Sequence, residues 1–421
     1  MSNRKVDVLL IGGGIIGTSL ARQLQSEGRK VLLIERGGIA AGSSYGNAGW
    51  VTPCFAMPLP QPGMMMKAMG WLLDKESPFY IKPEFSWGLF KWLMTFGLNA
   101  NQKKMESSIK VLAEISKISI RNYEELAKRR PNMAFERRGL LMVSGTESGL
   151  HHAEMELEQM QQNGITGRKM GQEEVLAFEP SLRSLVKGGV YFDQEAQVEP
   201  FATTKEMHEE FLALGGESML HTEVFDFVRT GDRITQVITT QGNFEPELVV
   251  MAAGSWSPAL AKQLGLNVPI LGGKGYSMIL EDQSLHDGDV KPKYPIMIVE
   301  RKIAVTPRAG STRLAGTLEL VNQDFGISPH RVRAIQKGSE EYLKIHSRDN
   351  VSDIWRGLRP CTPDGVPVIG KSSKTSNLFY NMGHQMLGLQ SAPGSAQLAA
   401  ELIQGRTPCV DPVPFRAERF E

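Results

Sequence analysis

The strongest constraint on the fold sits in the first 35 residues. Val6–Ile11 (VDVLLI) is a short apolar run, and such a run predicts a buried parallel strand. Gly12-x-Gly14-x-x-Gly17 follows at once, then helical spacing over Gly14–Ser26, then a second apolar run, Lys30–Ile34, that ends on Glu35. Each glycine has a physical reason. The first permits a tight turn, the second lets backbone approach a pyrophosphate, and the third lets helix and strand pack closely. The helix N-terminus, with free N–H groups and partial positive charge, then faces the phosphates. Ile15 and Ile16 belong to this turn. Strand, glycines, helix, strand and acid in this order predict a dinucleotide site rather than a structural turn. Glu35 stands 23 residues after Gly12, where a carboxylate accepts ribose hydroxyls and repels a 2′-phosphate, which disfavours NADP. Arg36 reads equally as an adenosine contact or a surface charge.

Composition narrows the class. A chain of 421 residues suits two packed domains, and 41% hydrophobic content excludes wholesale disorder. The formal net charge of +1 gives no electrostatic case for nucleic acid. Cys54, Cys361 and Cys409 are scattered without a CxxC spacing, so neither a disulfide scaffold nor a metal site is expected, and a cytoplasmic setting follows. Residues 37–66 carry no charge, but their glycines and prolines argue against a membrane-spanning helix. The apolar N-terminus is better read as the glycine-turn unit than as a signal peptide.

Farther along, the periodicity predicts helices over Met105–Arg130, Glu147–Asn163, Pro200–Leu214, Pro329–Ile345 and Leu389–Gln404. Glu223–Ala252 reads as a meander ending in the buried strand Leu248–Met251. Further strands are expected at Gly275–Leu280, Ile296–Val299, Ile303–Thr306, Arg313–Gly316 and Leu378–Asn381. No long linker separates these elements, so two interleaved domains are expected.

Four further segments, with the opening unit, carry a resemblance. They are Ser43-Ser44-Tyr45-Gly46-Asn47-Ala48-Gly49, Ala252-Ala253-Gly254-Ser255-Trp256, Gly357-Leu358-Arg359-Pro360-Cys361-Thr362-Pro363-Asp364-Gly365 running on to Gly370, and Asn381-Met382-Gly383-His384-Gln385-Met386-Leu387-Gly388-Leu389. Over nearly its whole length the chain resembles the FAD-dependent D-amino-acid oxidase and dehydrogenase superfamily, and the bacterial D-amino-acid dehydrogenases within it. The resemblance implies an α/β fold: a Rossmann-like FAD-binding domain interleaved with a mixed-sheet α+β substrate domain. The expected division is 1–84, 187–270 and 355–421 for FAD, and 85–186 and 271–354 for substrate.

The resemblance also assigns roles. Ser43, Ser44, Asn47, Ala48 and Gly49 run along pyrophosphate and flavin. Val224, Ala253, Gly254 and Trp256 meet adenine, phosphates and ribitol. Gly383, His384, Met386, Leu387, Gly388 and Leu389 bring a helix start to the flavin N1–C2=O edge, although Gln385 departs from the family's G-H-G turn. Arg359 binds the substrate carboxylate. Tyr276 hydrogen-bonds that carboxylate or covers the flavin, with a half-buried strand tyrosine as the alternative, and Lys274 approaches flavin N5 through water. The implied reaction is hydride transfer from the α-carbon of an amino acid, a D-amino acid by this resemblance, to flavin N5, giving an imine and then a keto acid. Electrons pass to a quinone or another acceptor. Rival readings are an oxygen-using oxidase or dehydrogenase of glycine, sarcosine, proline or hydroxyproline, and a flavoprotein module with structural FAD. Trp50–Met66 and Trp71 read as a substrate wall or as core. Phe85–Phe96 reads as buried core or as an apolar surface for peripheral contact with the inner face of the cell membrane or with a quinone.

Overall fold

A computed structural model describes residues 4–64, 79–81, 87–321, 323–348 and 350–420. Residues 65, 66, 71, 85 and 86, which belong to the two apolar stretches above, lie outside these. Among the described residues, two large sheets organise the chain.

The first sheet has a parallel centre. Arg4–Ile11 pairs in parallel with Val31–Ile34 on one side and Gly242–Met251 on the other. Glu217–Met219 and Leu378–Met382 extend it, also in parallel. Alternation explains why its strands read as continuous apolar runs. Val8, Leu10 and Leu33 face the opening helix Ile15–Ser26 and the helix Gly388–Ile403, while Leu9, Ile11 and Leu32 face Val224, Phe227 and Ile234 of the meander. Both faces are covered, so both parities of side chain must be apolar. The meander folds as expected, as Val224–Thr230, Arg233–Thr239 and Gly242–Met251.

The opening helix packs on the C-terminal helix Gly388–Ile403, and that helix in turn packs on Gln102–Ala127. Pro393 sits inside the C-terminal helix. At Gly394 a Cβ would stand 2.4 Å from the Ile115 carbonyl oxygen, so glycine permits this close crossing. Ser119 Oγ takes the Gly394 N–H at 2.8 Å.

The second sheet is mixed. Leu271–Glu281 is flanked antiparallel by Ser311–Val321 and Val351–Cys361. The sheet continues through Ile303–Arg308 and Ile296–Ile298 to Leu140–Ser144, Gly188–Phe192 and Arg168–Gly171. The strand Val351–Cys361 was not expected; Gly357, Pro360 and the charged Arg356 and Arg359 break its apolar pattern. It spans the boundary expected at 354/355. Gly188–Phe192 likewise pairs in this sheet, beyond the boundary expected at 186/187.

Candidate active site

A cavity of about 630 Å³ lies where the parallel strands end, and segments of both sheets line it. Gly12 turns sharply there with φ 118°, and a Cβ on it would meet the Ala252 carbonyl oxygen at 2.4 Å. Gly17 does not line the cavity; a Cβ there would sit 1.9 Å from the Gly12 carbonyl oxygen, so its absence lets helix and strand meet. Gly14, Ile15 and Ile16 open the helix into the cavity. No side chain from Gly14 and no acid in the first turn neutralises that helix end.

Glu35 ends its strand in the cavity wall. Its carboxylate accepts from the Gly13 N–H at 2.6 Å and the Gly37 N–H at 2.7 Å, which fixes it beside the turn. Arg36 is exposed at the same end, 3.8 Å from Glu223 and over the Trp256 ring. Val224, Ala253, Gly254 and Trp256 line the cavity as well.

The loop 43–49 is a hinge point between the sheets. Ser44 Oγ accepts from the Ile15 N–H at 2.9 Å. Ser43 Oγ and Ser255 Oγ both donate to the Leu358 carbonyl. The Gly46, Asn47 and Ala48 carbonyls accept from Ser277, Arg313 and Thr306 of the second sheet. Ser43, Ser44 and Asn47 line the cavity; Ala48 and Gly49 stand behind them. The flat ring that Gly46 accommodates in the chain itself is Trp355: a Cβ on Gly46 would meet it at 2.7 Å.

Arg359 enters from the strand Val351–Cys361. Gly275 on the neighbouring strand makes room; a Cβ there would lie 2.1 Å from Arg359 Nη1. Nη1 donates to the Thr317 carbonyl at 2.9 Å. Thr317 sits in a bulge where Ser311–Val321 carries one residue more than Leu271–Glu281, and its φ is 64°, strained for a β-branched residue. Among the described residues no carboxylate pairs with Arg359. Burial pushes its guanidinium below the ordinary value, though arginine stays charged. Asp364, in the same motif, is engaged by Arg419 at 2.6 Å.

Two expected site residues lie elsewhere. Tyr276 does not line the cavity; its side chain is buried in the core of the second sheet and donates to Glu319 at 2.7 Å. Lys274 shares that face and is 3.4 Å from Glu319 and 3.1 Å from Asp324. Side chains alternate along a strand, and Gly275, between them, is the residue that faces Arg359.

His384, Met386, Gly388 and Leu389 line the cavity, whereas Gly383 and Leu387 support the turn. His384 is buried, and loss of solvent pushes its imidazole down to about 3, so it is neutral. Its Nε2 lies 3.0 Å from Ser395 Oγ. Gln385 has φ 52°, the left-handed region that glycine adopts freely, which explains the glycine expected there.

Sequence reasoning missed Phe325, Arg356, Phe225 and Gly42, all in the cavity wall. None lies in a turn or motif that advertises a ligand. Trp50 and Cys54 are core, and Trp50 Nε1 donates to Thr306. The helix Trp87–Asn99 divides: Trp92 and Phe96 are buried, but Trp87 is 68% exposed and Phe90 51%.

The residues fit FAD. The glycine turn and a helix start with no acid in its first turn suit a pyrophosphate, Glu35 suits a ribose, and a guanidinium with no carboxylate partner among the described residues remains for a substrate anion. A family model described as FAD dependent oxidoreductase matches residues 7–402. A D-amino acid dehydrogenase of Granulibacter bethesdensis is 30% identical, covering 98% of this chain and 99% of that protein. Glycine oxidase from Geobacillus kaustophilus has a similar fold, with TM-score 0.78, 20% identity and 99% of both chains covered. L-proline dehydrogenase from P. horikoshii has TM-score 0.75 at 18% identity, with 100% of both chains covered. With a match that spans both sheets and the cavity between them, the chain belongs to the FAD-dependent oxidoreductase family and takes FAD as its cofactor.

Proposed function

We propose that the protein oxidises the α-carbon of a free amino acid, a D-amino acid, to an imine that hydrolyses to a keto acid. The observation that carries this is Arg359, a guanidinium in the cavity wall without a carboxylate partner among the described residues. A planar fork holds a carboxylate by two parallel hydrogen bonds and so fixes where the α-carbon lies. Bound FAD supplies the acceptor for the hydride that leaves that carbon.

The residues around Arg359 bind and orient rather than transfer protons. His384 lines the same cavity, and an imidazole held at about 3 is a poor base at neutral pH. The amine therefore reacts in its neutral form, its lone pair assisting hydride departure. The carboxylate anchor supports a free amino acid over an amine without an acid group. Similarity to D-amino acid dehydrogenases supports the D configuration. The test is anaerobic bleaching of the bound flavin by a panel of D- and L-amino acids that includes proline and hydroxyproline. Bleaching by D-amino acids supports the reading. Bleaching by L-isomers or glycine alone refutes it.

The same proposal extends to the acceptor. Trp87, Phe90, Met94 and Leu98 are all about half or more exposed, and their spacing puts them on one face of a helix. Among the described residues no helix is long and apolar enough to cross a membrane. This stripe supports docking on a lipid surface, where a quinone takes the electrons. Flotation with phospholipid vesicles should carry the parent protein upward and leave Phe90→Glu behind. Equal flotation of both removes the stripe from the contact.

A further inference from the structure

At the Glu35 end of the cavity, four side chains stack in series. The Arg36 guanidinium lies 4.7 Å from the Trp256 ring centre. Trp256 and Phe325 are nearly parallel, with centroids 5.8 Å apart and planes 9° apart. Arg356 lies 4.9 Å from the Phe325 ring centre. All four line the cavity.

The stack joins the two sheets. Arg36 and Trp256 follow strands of the first sheet, whereas Phe325 follows the strand Ser311–Val321 and Arg356 lies in the strand Val351–Cys361 of the second. Phe325 rides on the short segment 323–328, which has no regular structure. That segment is tied down from beneath. Lys274, only 4% exposed, donates to Asp324 and to the Gly326 carbonyl, both at 3.1 Å. Arg356 Nε donates to the Phe325 carbonyl at 3.0 Å. These bonds account for the burial of Lys274, which the reaction does not use. The ring is held differently from the backbone. Phe325 is 37% exposed, so contact with Trp256 and the Arg356 guanidinium holds it down, not core packing.

We propose that residues 323–328 form a cofactor clasp. Phe325 closes on Trp256 across the cavity and sets how long FAD stays bound. FAD leaves only when the ring lifts, and the Lys274 and Arg356 bonds pull the segment back. The clasp rests on FAD occupying this cavity and is independent of which amino acid is oxidised.

The test uses the FAD-loaded full chain, diluted so that free FAD does not rebind, with release followed by recovery of flavin fluorescence. Phe325→Ala should release FAD at least tenfold faster than the parent. Phe325→Tyr, which keeps the stack, should stay within twofold of the parent. Asp324→Asn changes a half-exposed position and weakens the tether without touching the ring; it should also release FAD faster, by threefold or more. Parent-like release from both Phe325→Ala and Asp324→Asn overturns the clasp, as does Phe325→Tyr releasing as fast as Phe325→Ala. Since the readout is flavin release, failure here is distinct from failure to oxidise an amino acid.

Discussion

Gly275→Ala probes the substrate anchor without altering the arginine. The new Cβ would stand 2.1 Å from Arg359 Nη1, 2.4 Å from Nη2 and 2.5 Å from Cζ. Non-bonded heavy atoms settle at about 3.5 Å, so the guanidinium must retreat by more than about 1 Å. That displacement also breaks its 2.9 Å bond to the Thr317 carbonyl. The backbone at Gly275 is ordinary strand, so alanine fits it without strain, and the colliding group is the far end of a flexible side chain. The stability cost should therefore be that of one charged hydrogen bond, about 1.5–3 kcal/mol. Misplacing a substrate-orienting group by 1 Å costs about 100-fold, or about 2.7 kcal/mol of transition-state binding. The assay is steady-state kcat/KM with an artificial electron acceptor on protein checked for full FAD content. Binding of a small carboxylate inhibitor, read from the flavin spectrum, separates a moved anchor from a merely crowded cavity. A moved anchor weakens even the smallest carboxylate. A kcat/KM within threefold of the parent would refute the assignment of Arg359.

Other outcomes follow from the same geometry. Arg359→Lys keeps the charge but loses the fork, so KM should rise well over tenfold while FAD stays bound; unchanged kinetics exclude the residue. With His384 at about 3 and no base assigned, kcat/KM should rise tenfold per pH unit up to the substrate's own amine pKa, and an earlier plateau would reveal a base. Glu195 is buried beside Cys54, and loss of solvent pushes its carboxyl up to about 8. The folded state keeps that proton to higher pH than the unfolded chain, so its contribution to stability falls as pH rises from the ordinary carboxylate range to about 8, at up to about 1.4 kcal/mol per unit. Melting curves at pH 5 and pH 8 should show Glu195→Gln gaining on the parent at the higher pH; a constant gap contradicts the buried acid.

The parallel sheet and its glycine turn were legible because one local unit carries strand, turn, helix and acid together. The motif drew attention to Arg359, which lines the cavity, but not to the residues around it. Tyr276 follows the glycines of its segment directly, yet the alternation of a strand sends Gly275 to the anchor and Tyr276 to Glu319. The bulge at Thr317 on the partner strand, whose carbonyl accepts from Arg359, is marked by no local pattern either. Phe325 and Arg356 escaped notice because their roles come from pairing across the sheets. For Trp87 and Phe90 composition leaves core and apolar surface both open; which face a helix turns outward depends on its neighbours.

The grip of Ser43 on the Leu358 carbonyl spans 315 positions of sequence. Leu358 immediately precedes Arg359, so that single peptide couples the cofactor loop to the anchor. During synthesis the N-terminal unit leaves the ribosome long before its acceptor exists. Neither half of the site can be finished until most of the polypeptide has been made, and contacts of such high order close slowly. Chains that stop short of residue 358 also lack the strand Leu378–Met382 and the helix Gly388–Ile403 that complete the parallel core, so the serine loop should stay without its acceptor, exposed to proteases and chaperones, until translation ends.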